Sequence, residues 1–343
     1  MILLGEHTTG RDNNTPLLRL LAATCVIAFH SFYFTGHLGD DPLTRWTGDT
    51  NLSLVGVKCF FVLSGFLVTQ SWLRRAQLCA FVAARVLRIY PALFAAVALS
   101  IVLAGASSSV PWRAFIADPA TIAYAWQNAL GWRMTFYLPG AFPTNLFAGG
   151  VNGSLWTLPI ELRLYVGIAL AGVAGVLARR QLCAAVFVLL VALIAAKPEW
   201  LPLAPNNENV RAFALLFALG ALAQVWRDAI PLSLTVVVAS CILFLWNPGG
   251  LVRGAALAVP FAYGVLVLAY HPRLQWPLFA RVGDYSYGLY VYAFPIQQTI
   301  VAHVPGIAPL GLLVSGFAAT FAVAALSWHL MEKPAIGLKS RFH

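Results

Sequence analysis

An arginine and a histidine lie eleven positions apart in the first apolar stretch of the chain, Arg19 near its beginning and His30 near its end. Ionisable side chains inside an apolar helix are costly, so each one is a candidate for function. Eleven residues of α-helix rise about 16 Å and rotate the second side chain only about 20° from the first. Both therefore point to one face, and a ligand lying along it would touch both. The alternative is structural: the histidine hydrogen-bonds between helices, and the arginine only marks the end of the span.

Two further arginines, Arg85 and Arg88, lie three positions apart at the start of the third apolar stretch, so they share one helix face. A guanidinium binds phosphate through paired hydrogen bonds, and two of them together form an anion site. Arg74 and Arg75 precede them closely. This group predicts a site for a polyphosphate ligand, and the alternative is contact with anionic lipid headgroups.

A carboxylate, Glu161, lies within the fourth apolar stretch, two positions before Arg163. Residues two apart do not share a helix face, so we expect the partner of Glu161 on another helix. In the second stretch, Ser64 and Gly65 predict close helix packing and not a nucleophile, because no Gly-x-Ser-x-Gly turn surrounds them. Asp284, at the entry to the ninth stretch, is interpreted as a helix-start carboxylate.

Cysteine and histidine spacing predicts no metal site. The five cysteines are scattered in apolar stretches without a Cys-x-x-Cys pair, so they are interpreted as small buried hydrophobes. His271, His303 and His329 belong to no evident constellation and are interpreted as structural.

The composition excludes a soluble globular protein. Of the 343 residues, 60% are hydrophobic and 10% are charged, and the mean hydropathy is +0.78. This small number of polar side chains cannot cover a water-facing surface. The chain is therefore predicted to be an integral membrane protein. Its 22 Lys and Arg against 12 Asp and Glu would suggest nucleic acid in a soluble protein. In a membrane protein the positive-inside rule accounts for them, so no nucleic-acid partner is predicted.

Ten apolar segments are long enough to cross, or nearly cross, about 30 Å of hydrocarbon as helices. They run over 17–34, 53–72, 88–104, 155–177, 182–196, 210–226, 231–246, 251–270, 285–303 and 307–330. The predicted fold is an all-α bundle of about ten transmembrane helices, with both termini cytoplasmic. The cytoplasmic connections then hold Arg74 and Arg75, Arg179 and Arg180, Arg227, Arg273 and Arg281, and the tail with Lys333, Lys339 and Arg341. The acidic residues Asp40, Asp41, Asp49, Glu199 and Glu208 then fall outside.

The chain is predicted to form a single transmembrane domain over 1–343, with a long extracytoplasmic segment over 105–154. Within that segment Ile122, Trp126 and Leu130 recur every four residues, as expected of an interfacial helix. The first span has no small-residue cleavage pattern after it, so we expect it to be retained and not removed as a signal peptide.

Several motifs, taken in order, resemble those of the acyltransferase-3 family of bacterial membrane O-acyltransferases. The matching motifs are Arg19 with His30, residues 60–67 (FFVLSGFL), Arg85 with Arg88, residues 152–161, residues 285–290 (YSYGLY) and residues 332–334 (EKP). Together they cover nearly the whole chain. It is similar to the standalone branch of the family, without the periplasmic SGNH domain of some relatives.

The resemblance implies an O-acetyltransferase of the bacterial inner membrane that modifies surface polysaccharides. Its donor would be acetyl-CoA or another acyl-CoA on the cytoplasmic side, and its acceptor a hydroxyl of a cell-surface or lipid-linked glycan. Arg85 and Arg88 would grip the coenzyme A phosphates, and Arg19 would assist donor placement or helix pairing. His30 would be the catalytic base, and Glu161 joins the candidate catalytic residues.

The resemblance leaves two routes for the acyl group. In the simpler one, neutral His30 takes the sugar hydroxyl proton as the oxygen attacks the thioester, since the unperturbed pKa of imidazole is about 6.5. In the other, an acyl-histidine intermediate carries the group outward. The chain departs from relatives at Ala293, where many have a histidine, and at Lys58, a position that is often acidic.

Two other functions compete with this one. A transporter or flippase for an anionic solute would also hold intramembrane Arg and His residues, but we find no matching halves with interrupted helices. A catalytically inactive scaffold is disfavoured because both arginine motifs and His30 are present.

Overall fold

The computed structural model describes residues 2–8, 13–48, 50–200, 207–246, 258–276 and 283–342. These residues form helices joined by turns, with three isolated β-bridges and no named strand among them. The α-helices are α1 (Thr15–Phe34), α2 (Pro42–Thr47), α3 (Leu52–Leu73), α4 (Leu78–Ala106), α5 (Trp112–Ala117), α6 (Pro119–Leu130), α7 (Leu158–Val173), α8 (Arg180–Ala196), α9 (Glu208–Val225), α10 (Leu234–Trp246), α11 (Ala258–Tyr270), α12 (Ser286–His303), α13 (Pro309–Ser327) and α14 (Lys333–Gly337).

Each of the ten predicted apolar segments contains a helix within the described residues, and residues 251–257 of the eighth segment lie outside them. In the part of the chain that the structure describes, six helical stretches are long and apolar enough to cross a membrane. They are Thr15–Phe34, Leu52–Leu73, Leu78–Ala106, Gly153–Val173, Glu208–Val225 and Pro309–Arg341. The protein is therefore a helical, multi-pass membrane protein. The count of ten crossings and the cytoplasmic termini stay predictions.

The predicted start of the third span is wrong by ten residues. Helix α4 begins at Leu78, not at residue 88, and so includes Arg85 and Arg88 in its first three turns. These arginines interrupt the apolar sequence pattern, but they do not interrupt the helix. Their guanidiniums pack against aromatic rings and other helices, so the helix continues through them.

Helix α3 lies at the centre of the bundle, packed between α1 and α9. A Cβ placed on Gly65 would collide with the backbone of Phe217 in α9, and one on Gly220 of α9 would collide with the backbone of Val62. Only glycine lets the two backbones approach so closely. The prediction that Ser64 and Gly65 mark close helix packing is confirmed.

Basic residues gather at one end of the bundle. Arg74 follows α3, Arg180 opens α8 and Arg227 follows α9, and all three line one pocket. Asp41 lies at the opposite end of α3, where its carboxylate accepts hydrogen bonds from the backbone N–H groups of Leu43, Thr44 and Leu52. We call the arginine-bearing end the basic end. The predicted basic Arg281 and acidic Asp49 lie outside the described residues.

The segment 105–154 contains α5, α6 and an irregular stretch held by side-chain amides. Asn128 donates to the carbonyl of Thr135, and Asn145 donates to Gln298 in α12. On α6, Ile122, Trp126 and Leu130 are each more than half exposed. An exposed apolar stripe on a short helix is typical of a helix lying in the membrane interface.

Candidate functional site

A cluster of charged side chains joins four parts of the chain near the basic end. Arg88 Nη2 lies 2.8 Å from Asp284 Oδ2, and Arg88 Nη1 lies 2.7 Å from Glu332 Oε2. Arg19 Nε lies 3.6 Å from the same oxygen of Asp284 and donates to Ser286 Oγ at 3.2 Å. The cluster ties α1, α4 and the start of α12 to the end of α13, so it fixes the positions of both predicted arginine motifs.

Glu332 contacts Arg88 from a segment where the helix changes its pitch. Residues Trp328–Glu332 form one π-helical turn directly after α13, and such turns often mark functional positions. The Glu332 side chain is fully buried, and its Oε1 accepts a hydrogen bond from Ser327 Oγ at 3.1 Å. A buried carboxylate is tolerated only when it is paired and hydrogen-bonded, and here both conditions hold.

Asp284 is a site residue that the sequence interpretation missed. Although desolvation opposes the charge, the guanidiniums of Arg19 and Arg88 hold the pKa of Asp284 well below its usual range. The carboxyl is therefore ionised throughout the physiological pH range. The position of Asp284 before α12 is that of a helix-start residue. Its two arginine partners are distant in sequence, so the local pattern around Asp284 does not predict them.

Arg85 differs from Arg88, because no carboxylate of the described residues lies within ion-pair distance of it. Its Nη2 donates to Ser71 Oγ at 3.3 Å, and its guanidinium lies 5.7 Å from the ring centre of Phe81 and 5.8 Å from that of Tyr165. Its Nε is buried and has no hydrogen-bond partner within those residues. Arg85 therefore keeps donors that an anionic ligand would satisfy.

A cavity opens beside these arginines between α1, α3, α7 and α12. Its volume is about 60 Å³. The lining residues are Arg19, Val57, Phe60, Phe61, Ser64, Leu155, Thr157, Leu158, Glu161, Tyr287, Tyr290 and Val291. An apolar cavity with a few convergent polar groups is the usual form of a small-molecule site.

Glu161 supplies the carboxylate of this cavity. Its Oε1 accepts hydrogen bonds from Ser64 Oγ, at 2.9 Å, and from Tyr165 OH. The predicted partner on another helix is confirmed, since Ser64 belongs to α3. Arg163 does not pair with Glu161 and lies over the ring of Trp132, with 5.3 Å between guanidinium and ring centre.

Two tyrosines of α12 form the facing wall. Tyr290 OH and Thr157 Oγ1 share a hydrogen bond of 2.8 Å. Tyr287 lies 5.4 Å beneath the Arg88 guanidinium, and its hydroxyl is buried without a partner in the described part of the chain. Two tyrosines of the sequence motif at 285–290 thus line the cavity, although the spacing of the motif does not by itself predict a binding or catalytic role.

His30 lies apart from this cavity, inside a shell of aromatic rings. The ring centres of Phe294 and Phe34 are 5.1 and 5.5 Å from that of the imidazole. The side chain is 8% exposed, and Nδ1 has no hydrogen-bond partner among the described residues. Arg19 is about 16 Å away along the same helix. The structure thus brings Arg19, Arg85, Arg88 and Glu161 together and leaves His30 nearer the opposite end of α1.

The described residues contain no group of three or more His, Cys, Asp or Glu side chains that could hold a metal ion. Ala293, the departure in α12, is fully buried directly before Phe294 of the aromatic shell. The position therefore adds no titratable group beside His30.

The sequence model of the acyltransferase domain family (acyltransferase 3) matches residues 16–329. The chain is 29% identical to nodulation protein 10 of Rhizobium leguminosarum bv. viciae, in an alignment that covers 98% of this chain and 96% of the relative. It is 26% identical to the O-acetyl transferase of Shigella phage Sf6, with 94% and 96% covered. It is also 26% identical to the putative peptidoglycan O-acetyltransferase YrhL of Bacillus subtilis strain 168, with 92% of this chain and 54% of the relative covered. No solved structure matches.

Proposed function

This chain belongs to the acyltransferase domain family and is an O-acetyltransferase, and we propose that it moves an acetyl group from acetyl-CoA to a glycan. The proposed acceptor is a hydroxyl of a cell-surface or lipid-linked saccharide at the bacterial inner membrane. The observation that carries the proposal is the cavity of Glu161, Ser64 and Tyr287, with Arg85 beside it, whose guanidinium has no carboxylate of the described residues within ion-pair distance.

The donor site is assigned to the basic end because, among the described residues there, the positive charge of Arg75, Arg85 and Lys339 has no carboxylate within ion-pair distance. The C-terminal 3-10 helix Leu338–Phe342 packs against α4. It brings Lys339 close enough to Arg75, Arg85 and Arg88 for their charges to repel one another. Coenzyme A carries a pyrophosphate and a 3′-phosphate, so it would relieve this repulsion. In this proposal Arg85 binds phosphate, and Arg88 adds charge while its ion pairs hold the site together.

The cavity suits the arm of the donor that bears the thioester. Its apolar walls would enclose the methylene groups of the pantetheine chain, and the Glu161 carboxylate would accept hydrogen bonds from the amide N–H groups of that chain. Arg19 lines the same cavity and pairs α1 with α12 through Asp284 and Ser286. It therefore combines the two roles that its motif predicts, donor placement and helix pairing.

Transfer is assigned to His30, so in this proposal the donor arm extends past the cavity along α1 until its thioester lies beside the imidazole. The acceptor oxygen attacks the thioester carbon, His30 takes the hydroxyl proton, the carbon–sulfur bond breaks and the proton passes to the departing thiolate. The aromatic shell favours a neutral imidazole, which is the form that accepts a proton. An acetyl-histidine relay has the same overall balance and forms acetyl-His30 before the acceptor is engaged.

The test is acetyl transfer from radiolabelled acetyl-CoA into extracted envelope glycan, using membranes with equal amounts of each protein. We expect label with the wild type, none with His30→Ala, and little with Arg85→Ala combined with Arg88→Ala. Arg163→Ala is the matched control, because Arg163 lies on the cavity-lining helix α7 but contacts Trp132, and it should keep full activity. Full transfer by His30→Ala would remove His30 from the mechanism. A rapid-quench search for acetylated His30 without acceptor distinguishes relay from direct transfer.

A further inference from the structure

A second pocket lies at the basic end, away from the residues assigned to the donor. It is formed by Arg74 after α3, Arg180 at the start of α8, and Gln224, Arg227 and Asp228 at the end of α9. Its volume is about 260 Å³. The elements that build it are distant in sequence, so the folded bundle and not a local run of charge creates this concentration of arginines.

Positive charge exceeds negative charge in this pocket. Arg180 Nη2 lies 2.6 Å from Asp228 Oδ2, and Arg227 Nε lies 3.5 Å from Asp228 Oδ1. One carboxylate therefore faces three guanidiniums. No carboxylate of the described residues lies within ion-pair distance of Arg74, whose side chain is exposed at the pocket.

Gln224 provides a second, independent indication of a ligand. Its side chain is 1% exposed and lines the pocket, and neither its Nε2 nor its Oε1 has a hydrogen-bond partner in the described part of the chain. Buried side-chain amides in folded proteins are nearly always hydrogen-bonded. Donors from an amide and from guanidiniums, meeting in one pocket, match the oxygens of a phosphate group.

We propose that this pocket binds a phosphate group, held by Arg74, Arg180 and Arg227 with Gln224 donating from its floor. The pocket does not include the residues assigned to the donor: Arg75 lies near Lys339, whereas its neighbour Arg74 lines this pocket. The phosphate comes either from the headgroup of an anionic phospholipid or from a soluble phosphate ester. The lipid source does not depend on the proposed acetyl donor, whereas the soluble source would extend the donor site across the α3–α4 turn.

The experiment compares the full-length wild-type protein with Arg74→Gln and Gln224→Leu. Neither substitution breaks an ion pair of the described residues, so both variants should fold. Arg179→Gln is the matched control, because Arg179 is the exposed neighbour of Arg180 and does not line the pocket. One arm counts phosphatidylglycerol and phosphatidylcholine adducts by native mass spectrometry. The other measures binding of acetyl-CoA and of acetyl-3′-dephospho-CoA by calorimetry.

We expect about a tenfold or larger loss of binding in both pocket variants and no change in the control. Loss of phosphatidylglycerol adducts alone identifies the lipid source. Weaker binding of acetyl-CoA with unchanged binding of acetyl-3′-dephospho-CoA identifies the soluble source. The proposal is overturned if the pocket variants match the wild type in both arms, or if Arg179→Gln causes the same loss. Failure of the acetyl-CoA proposal would leave the lipid arm intact, so the two results are distinguishable.

Discussion

Replacing Arg88 by methionine should strongly destabilise the protein, because it leaves a buried carboxylate without its partner. Glu332 is fully buried, and Arg88 lies 2.7 Å from it, while the Arg88 side chain itself is 18% exposed. Removing one member of such a pair costs about 3–5 kcal/mol. At about 2 °C of Tm for each kcal/mol, Arg88→Met should lower the Tm by about 6–10 °C.

The double variant Arg88→Met with Glu332→Met separates the ion pair from other roles of Arg88. Replacing both members by apolar residues of similar volume is often close to neutral, so the double variant should recover most of the lost Tm. Asp284 keeps Arg19 as a partner at 3.6 Å, which limits the remaining cost. The measurement is thermal unfolding of purified protein in one detergent, with Glu332→Met completing the cycle.

Two outcomes would refute this reasoning about stability. Equal Tm values for Arg88→Met and the wild type would mean that the ion pair contributes nothing, and a double variant less stable than either single variant would mean that the two residues are not coupled. The KM for acetyl-CoA in the double variant then tests the donor proposal separately. A KM that stays raised after the Tm recovers places Arg88 at the phosphates as well as in the cluster.

Three further predictions test the arrangement. Arg85→Gln should raise the KM for acetyl-CoA about tenfold or more. It should lower the Tm by only about 2–4 °C, because one hydrogen bond and two ring contacts are lost. An unchanged KM in steady-state kinetics would contradict the donor assignment. Gly65→Ala should lower the free energy of unfolding by about 1–3 kcal/mol, because the new Cβ would meet the backbone of Phe217. Its control, Gly264→Ala, has open space around it and should raise that free energy by about 0.5–1 kcal/mol. Equal effects of the two substitutions in thermal unfolding would exclude the close contact. Asp284→Asn should lower the Tm by a constant amount between pH 5 and pH 8. A carboxylate whose pKa is depressed by folding stabilises the folded protein above its unfolded pKa of about 4, and this stabilisation is lost as the pH falls through the lower folded pKa. A Tm difference between the variant and the wild type that shrinks from pH 8 to pH 5 would contradict the ionised cluster.

Local sequence patterns were sufficient to predict where the helices lie. In lipid, each backbone N–H and C=O must be satisfied within its own helix, so a long apolar run nearly dictates a helix. The helices over Thr15–Phe34 and Leu52–Leu73 begin and end within two residues of their predicted bounds. The one large error, the start of α4, arose where two arginines interrupt the apolar run and their partners lie on other helices.

From the sequence, only those residues of the candidate site could be predicted whose types are rare in apolar helices. Arg19, His30, Arg85, Arg88 and Glu161 stand out because an ionisable group in a membrane helix is costly. Their grouping could not be predicted: Arg19 and Glu161 line one cavity with Arg85 and Arg88 beside it, while His30 lies apart in an aromatic shell. The acyltransferase motifs indicated the family, and the match over residues 16–329 confirms it.

The sequence by itself determined that this chain is helical, lies in a membrane and carries ionisable groups that need partners, because hydropathy and helical periodicity are local properties. Only the tertiary structure decided which partners meet. Arg88 joins Asp284 across 196 positions and Glu332 across 244, and Glu332 lies at the end of a π-helical turn. Ion pairs between distant helices depend on how the helices pack and rotate, and no spacing along the chain records that geometry.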